Sequence, residues 1–223
     1  GQAFNEVYPD VTLDIAAGGS SVGIQAIHDG TVDIGMASRK LSAEEAEGIE
    51  VHQVAVDVIA LVVNDTNPVT DLTSEQLREI YSGEIANWSE VSGSDAEIAV
   101  AVRETTSGTR KAFDELVLDK EEPTAPNMER LMTAGDVAAY VVGNPDAIGY
   151  VGFGNLEPGL KPLHIDGVEP TEANARDGSY QLTRPLQLLA GPLTQPLGRT
   201  FIEFSLSDQG QQVIADSGWI PAD

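Results

Sequence analysis

Two short segments carry the residue types needed to hold an oxyanion. Gly18-Gly19-Ser20-Ser21 and Ser107-Gly108-Thr109 each join glycine to hydroxyl side chains just before a helical pattern. The first turn of a helix leaves backbone N–H groups unpaired and carries partial positive charge. Glycine lets a ligand approach the backbone, and Ser or Thr adds a hydroxyl donor, so such a start suits an anion. Two arginines stand at the strand ends beside these hydroxyls: Arg39 in Met36-Ala37-Ser38-Arg39, and Arg103 shortly before Ser107. A guanidinium offers paired donors that match phosphate or carboxylate oxygens. Taken singly, each loop reads as a tight turn with a helix cap, and each arginine as half of a surface ion pair. Their pairing in a chain so poor in base favours anion binding.

Composition narrows the classes further. The chain has 36 Asp and Glu against 12 Lys and Arg, a net charge of −24. Nucleic-acid binding needs a basic face, so it is excluded. Only Lys40, Lys111, Lys120 and Lys161 are lysines, and runs such as Glu44-Glu45 and Glu121-Glu122 read as solvated faces. An acid-rich, lysine-poor surface suits concentrated salt, which screens self-repulsion, so a halophilic source is expected. There is no cysteine, hence no disulfide, thiolate catalysis or Cys-based metal site. His28, His52 and His164 are isolated, and no metal site or cofactor is expected from them. No apolar run approaches the roughly 20 residues that cross a bilayer. No basic-then-apolar signal segment opens the chain.

The elements that must position these residues follow from hydrophobic spacing. The 223 residues suffice for one large domain or two lobes. Residues 1–7 read as the tail of an amphipathic helix. Val11, Leu13 and Ile15 alternate with polar residues, which predicts a strand over 11–16. The Gly18–Ser21 loop, a helix carrying Ile24 and Ile27 and ended by Gly30, and a second strand over 32–37 follow. That order predicts a βαβ unit with parallel strands. The apolar run 51–63 is too long for an ordinary strand and predicts one that passes between two lobes. Thr73 and Gln76 form a capping box for a helix bearing Leu77, Ile80 and Tyr81, closed by Gly83. Strands are predicted over 98–102, 147–153 and 185–190. Helices are predicted after Ser107 and over 136–142, 201–206 and 211–215, with loops over 119–127 and 168–179.

Several segments, in order and spanning nearly the whole chain, resemble the phosphate-binding proteins of phosphate ABC importers. They are Gly-Gly-Ser-Ser-Val-Gly-Ile (18–24), Val-Asp-Ile-Gly-Met-Ala-Ser-Arg (32–39), Arg-Glu-Thr-Thr-Ser-Gly-Thr-Arg (103–110) and Ala-Ile-Gly-Tyr-Val (147–151). Leu-Thr-Ser-Glu-Gln-Leu-Arg-Glu-Ile-Tyr-Ser-Gly (72–83), Asn87-Trp88 and Asp-Gly-Val-Glu-Pro-Thr (166–171) belong to the same pattern. The resemblance implies an α/β, two-lobed type II periplasmic-binding-protein fold, with mixed sheets flanked by helices and a two-strand hinge. It places residues 1–58 plus 184–223 in one lobe and 59–183 in the other. It implies a monomeric, extracytoplasmic binding protein, periplasmic or anchored at the cell surface. Such a protein captures inorganic phosphate by lobe closure and delivers it to a membrane permease, without catalysis. The phosphate-binding residues it implies are Gly19, Ser20, Ser21, Ser38 and Arg39 from one lobe and Arg103, Ser107, Gly108 and Thr109 from the other.

Two departures bear on that expectation. Relatives usually begin with a strand and a Gly-Ser/Ala-Thr-type loop that also contacts phosphate; residues 1–7 come after that element, so the expectation is either that it lies upstream of residue 1 or that this protein lacks about a third of the usual site. Some relatives also carry Asp directly after the serine at the second strand's end, where it accepts the ligand's hydrogen; here Arg39 stands there. Phosphate at neutral pH still has a hydrogen to donate and sulfate has none, so an acceptor decides between them. Asp57, inside the 51–63 run, is the candidate proton acceptor, with an ion pair or a hinge cap as its other reading. Other functions remain open. A related protein for molybdate, tungstate or sulfate would need the same donors. Gly19-Ser20-Ser21-Val22-Gly23 also fits the G-x-S-x-G pattern of serine hydrolases, with Ser21 as nucleophile and His52 or His164 as base. A nucleophile elbow normally follows several strands, and only one is predicted before this segment.

Overall fold

The structure is a computed structural model that describes residues 1–222. In chain order, α1 is Gln2–Val7, α2 Ser20–His28, β1 Gly35–Ala37, β2 Glu50–Asn64, β3 Asp71–Leu72 and α3 Ser74–Ser82. Then come β4 (Ala99–Arg103), α4 (Gly108–Val117), β5 (Met128–Leu131), α5 (Ala134–Gly143), β6 (Ala147–Gly152), β7 (Leu160–Pro162) and β8 (His164–Ile165). The last are α6 (Glu172–Arg176), β9 (Thr183–Ala190), α7 (Pro196–Leu206), α8 (Asp208–Asp216) and β10 (Ile220–Pro221). Contacts divide the chain into two units, Gly1–Asp57 with Arg184–Asp223, and Val58–Thr183. The chain passes from one to the other within β2 and again at the start of β9.

In the first unit β9 lies next to both β1 and β2. It runs antiparallel to β1, with Met36 opposite Leu188, and β10 runs antiparallel to β2 at Val56. Ile24 and Ile27 of α2 pack with Ala37 and Leu189. Ile202 of α7 packs with Leu188 and Ala190. Helix α1 is held by Phe4, fully buried against the edges of Phe201 and Phe204 at 5.0 and 5.3 Å.

In the second unit β6 is antiparallel to the later half of β2 and parallel to β4, and β4 is parallel to β5. Helix α5 covers this sheet, placing Val137 and Val141 against Ala60, Val62, Ala101 and Val151. The approach is close: a Cβ on Gly149 would lie 2.7 Å from Val137 Cγ1. Local signals set the helix starts. Thr73 and Gln76 form the capping box of α3, and Thr133 and Asp136 that of α5. Gly83 ends α3 in the left-handed region that glycine tolerates, at φ +87°.

Three expectations need correction. Residues 11–16 form no strand. The alternation of Val11 and Leu13 is present, but a strand needs a neighbour to pair with, and Ile15 is 71% exposed. With that strand gone, the first segment is not a parallel βαβ unit, and β1, shortened to three residues, runs antiparallel to β9. Residues 168–179 contain α6, started by the Thr171 hydroxyl accepting from Asn174 N–H.

Candidate functional site

The first hydroxyl cluster is built by a helix laid almost directly on backbone. A Cβ on Gly23 of α2 would lie 2.5 Å from the Met36 carbonyl oxygen, and one on Gly35 would lie 2.8 Å from the Gly23 oxygen. Only two glycines allow this approach, and it brings the start of α2 beside the end of β1. Ser38 N–H donates to Ser20 Oγ at 2.9 Å, and the two hydroxyl oxygens are 3.3 Å apart. Ser20 is 3% exposed. Gly19 precedes the helix at φ +80°, a value costly for any residue with a side chain, and no side chain caps the N-terminus.

Arg39 is held by the turn that follows it. Its Nη1 and Nη2 each donate to a Glu45 carboxylate oxygen at 2.7 Å, and Nη1 also reaches the Lys40 carbonyl. Its Nε is buried with no hydrogen-bond partner among the described residues. This bidentate clamp closes the turn after Ser38, where the Glu45 carboxylate also accepts from Ser42 N–H.

The second cluster lies wholly in the other unit. Arg103 ends β4, and Ser107 caps α4 with its hydroxyl accepting from Arg110 N–H at 3.3 Å. Ser107, Gly108 and Thr109 are buried. The Arg103 guanidinium donates through Nε and Nη2 to the Met132 carbonyl at 3.1 and 2.7 Å. Its charge also lies near Asp136, whose carboxyl is held below the ordinary value chiefly by the hydrogen bond from Thr133. Arg110, one residue past Thr109, is buried. Its Nε donates to both Asp114 oxygens at 2.8 and 2.7 Å, and its Nη1 to the Arg103 carbonyl at 3.0 Å. Burial pushes the Asp114 carboxyl up, against the lowering effect of the Arg110 charge.

Asp57 is 2% exposed, and its Oδ2 accepts from Arg184 Nε and Nη2 at 3.1 and 2.7 Å. Of the two roles open to it from sequence, the ion pair is the one with observed partners. The G-x-S-x-G segment is not preceded by a strand, and Ser21 sits in the first turn of α2, so the strand-turn-helix frame of a nucleophile elbow is missing. His52 lies 3.8 Å from Glu50, and His164 belongs to β8. Among the described residues no three His, Asp or Glu side chains cluster to hold a metal ion, and no helix is long and apolar enough to cross a membrane.

The residues missed from sequence are Glu45, Arg110 and Arg184. Arg110 had a readable signal, its spacing of four from Asp114 on a helix. Arg184 lies 127 residues from Asp57 and had none.

Comparison with known proteins gives these features a context. The sequence matches the PBP superfamily domain over residues 1–209. It is 33% identical to the phosphate-binding protein PstS of Bacillus subtilis, over 99% of this chain and 74% of that protein. The PstS of Pseudomonas aeruginosa is 31% identical, over 99% of this chain and 77% of its own length. A phosphate ABC transporter substrate-binding protein of Clostridium perfringens, solved with bound phosphate, superposes with a TM-score of 0.96 at 39% identity, covering 100% of this chain and 92% of that one. An ABC-type phosphate transport receptor of Vibrio cholerae superposes with a TM-score of 0.82 at 33% identity, covering 99% and 93%. The fold is the type II periplasmic-binding-protein fold, and the chain belongs to the PBP superfamily, among the relatives of the phosphate-binding proteins PstS.

Proposed function

We infer that this chain captures inorganic phosphate as the extracytoplasmic substrate-binding component of an ABC importer and hands it to a membrane permease. It acts by binding, as a monomer, with no cofactor and no turnover. The observation that carries the reading is the pair of buried hydroxyl-bearing helix starts, Ser20 and Ser107 to Thr109, in a chain of net charge −24. So acidic a molecule repels anions at long range, so capture must rest on short, directed donors. The relatives and solved structures named for phosphate binding support the same ligand.

The donors assigned to the anion are the α2 start at Gly19, Ser20 and Ser21, together with Ser38, Arg103, Ser107, Gly108 and Thr109. Arg39 is assigned to holding the turn that carries Ser38, because Glu45 occupies its Nη atoms. Molybdate, tungstate or sulfate capture is the second reading, since tetrahedral oxyanions share these donors.

Calorimetric titration of phosphate, sulfate and molybdate in concentrated KCl tests the assignment. Phosphate is expected to bind at least about a hundredfold more tightly than sulfate. Ser107→Ala, which removes one hydrogen bond to a charged ligand worth about 1.5–3 kcal/mol, is expected to weaken binding about 10- to 150-fold. Equal binding of all three anions would defeat the phosphate assignment, and absence of binding would defeat the capture reading.

A further inference from the structure

The main chain of Arg103 is gripped on both sides by side chains that are themselves 1% exposed. Its N–H donates to the Tyr150 hydroxyl at 3.1 Å, and its carbonyl accepts from Arg110 Nη1 at 3.0 Å. Arg110 is in turn fixed by Asp114, and its own N–H is held by the Ser107 hydroxyl. Tyr150 is fixed by stacking on the fully buried Phe113 of α4, with ring centroids 4.2 Å apart and planes 10° from parallel. One rigid network therefore spans the end of β4 and the first turns of α4. Burying a guanidinium and a phenol for this purpose is costly, and Arg110 keeps Nη2 buried with no hydrogen-bond partner among the described residues. An apolar side chain would fill the same volume without that cost. The arrangement makes sense where the orientation of one strand-end residue matters more than stability.

We propose that Arg110 and Tyr150 are positioning residues for phosphate capture, clamping the Arg103 main chain on either side of its Cα so that its guanidinium and the α4 N–H groups are preset for the ligand. Neither side chain is assigned a contact with the anion. The inference rests on the phosphate-capture reading and extends it. A preset site binds more tightly because ordering is not charged against each binding event.

The test is a double-mutant cycle on phosphate affinity, using Tyr150→Phe, Arg110→Met, Arg110→Lys and Arg103→Ala, with urea unfolding run in parallel. Tyr150→Phe keeps the stacked ring and removes only the hydroxyl. It is expected to weaken phosphate binding about tenfold. Arg110→Met is expected to weaken it more, and Arg110→Lys, which can still reach the Arg103 carbonyl, to recover part of the loss. In the Arg103→Ala background the effect of Tyr150→Phe is expected to shrink to about twofold or less, because the guanidinium it positions is gone. A merely structural role would leave the tenfold factor intact in both backgrounds. If wild type binds phosphate and Arg103→Ala weakens it while Tyr150→Phe and Arg110→Lys bind like wild type, the positioning inference is wrong and the capture reading stands. Wild type that fails to bind phosphate would overturn both.

Discussion

Removing the Asp57 carboxylate takes two charged hydrogen bonds from a buried guanidinium, and the cost can be worked from the observed contacts. Arg184 is 8% exposed, and Nε and Nη2 both donate to Asp57 Oδ2. In Asp57→Ala the guanidinium stays in the same low-dielectric surroundings without these charged hydrogen bonds. Truncating one partner of such a pair costs about 3–5 kcal/mol. For a chain of this size that lowers Tm by about 6–20 °C, at about 2–4 °C per kcal/mol. Urea unfolding should show a lower midpoint at unchanged slope. The double variant Asp57→Leu/Arg184→Met replaces both charges with apolar groups and should return to within about 1 kcal/mol of wild type. A cost below about 1 kcal/mol for Asp57→Ala, or a double variant as unstable as the single one, would refute the ion-pair argument. Asp57→Asn separates the pair from a ligand role. It is expected to keep the preference for phosphate over sulfate, and a collapse of that preference would make Asp57 the acceptor of the ligand's hydrogen.

Other expectations can be checked with the same purified protein. Gly23→Ala forces a methyl to within 2.5 Å of the Met36 carbonyl oxygen, so α2 must shift. The overpacking should cost about 1–3 kcal/mol in urea unfolding, and phosphate affinity should fall as Ser20 leaves Ser38. Asp136 has a lowered folded-state pKa, so its ionised form stabilises the protein above the ordinary value of 3.8. The stability gap between wild type and Asp136→Asn should therefore be complete at neutral pH and close as pH falls from that value through the lowered one. A gap that widens on acidification would contradict the capping-box account. Raising KCl from about 0.1 M to about 1 M shortens the screening length from about 10 Å to about 3 Å and should raise Tm in this highly acidic chain. An unchanged or lower Tm would count against the salt-adapted surface.

Elements whose cause is local were legible in the sequence. Thr73 and Gln76 announce α3 because a capping box involves only neighbouring groups, and Gly83 announces its end. The apolar run announces β2, because its later half, residues 58–63, is buried on both faces and needs apolar side chains there. The hydroxyls and glycines of 18–21 and 107–109, with Arg103 before the second, are read from type and spacing, and the order of the motifs pointed to the PstS relatives. Tertiary structure decided what those side chains do. The alternation at 11–16 looked like a strand, but pairing depends on a partner that no local pattern encodes. Arg39, a candidate anion donor, is paired with Glu45, and Asp57 met Arg184 only because the chain returns 127 residues later. Arg110 and Tyr150 converge on the main chain of one residue, Arg103, because α4 and β6 both pack at the end of β4. Sequence lists donors and acceptors with their local spacing; which of them meet is set by long-range packing, where each buried polar group must find a partner that the fold brings to it.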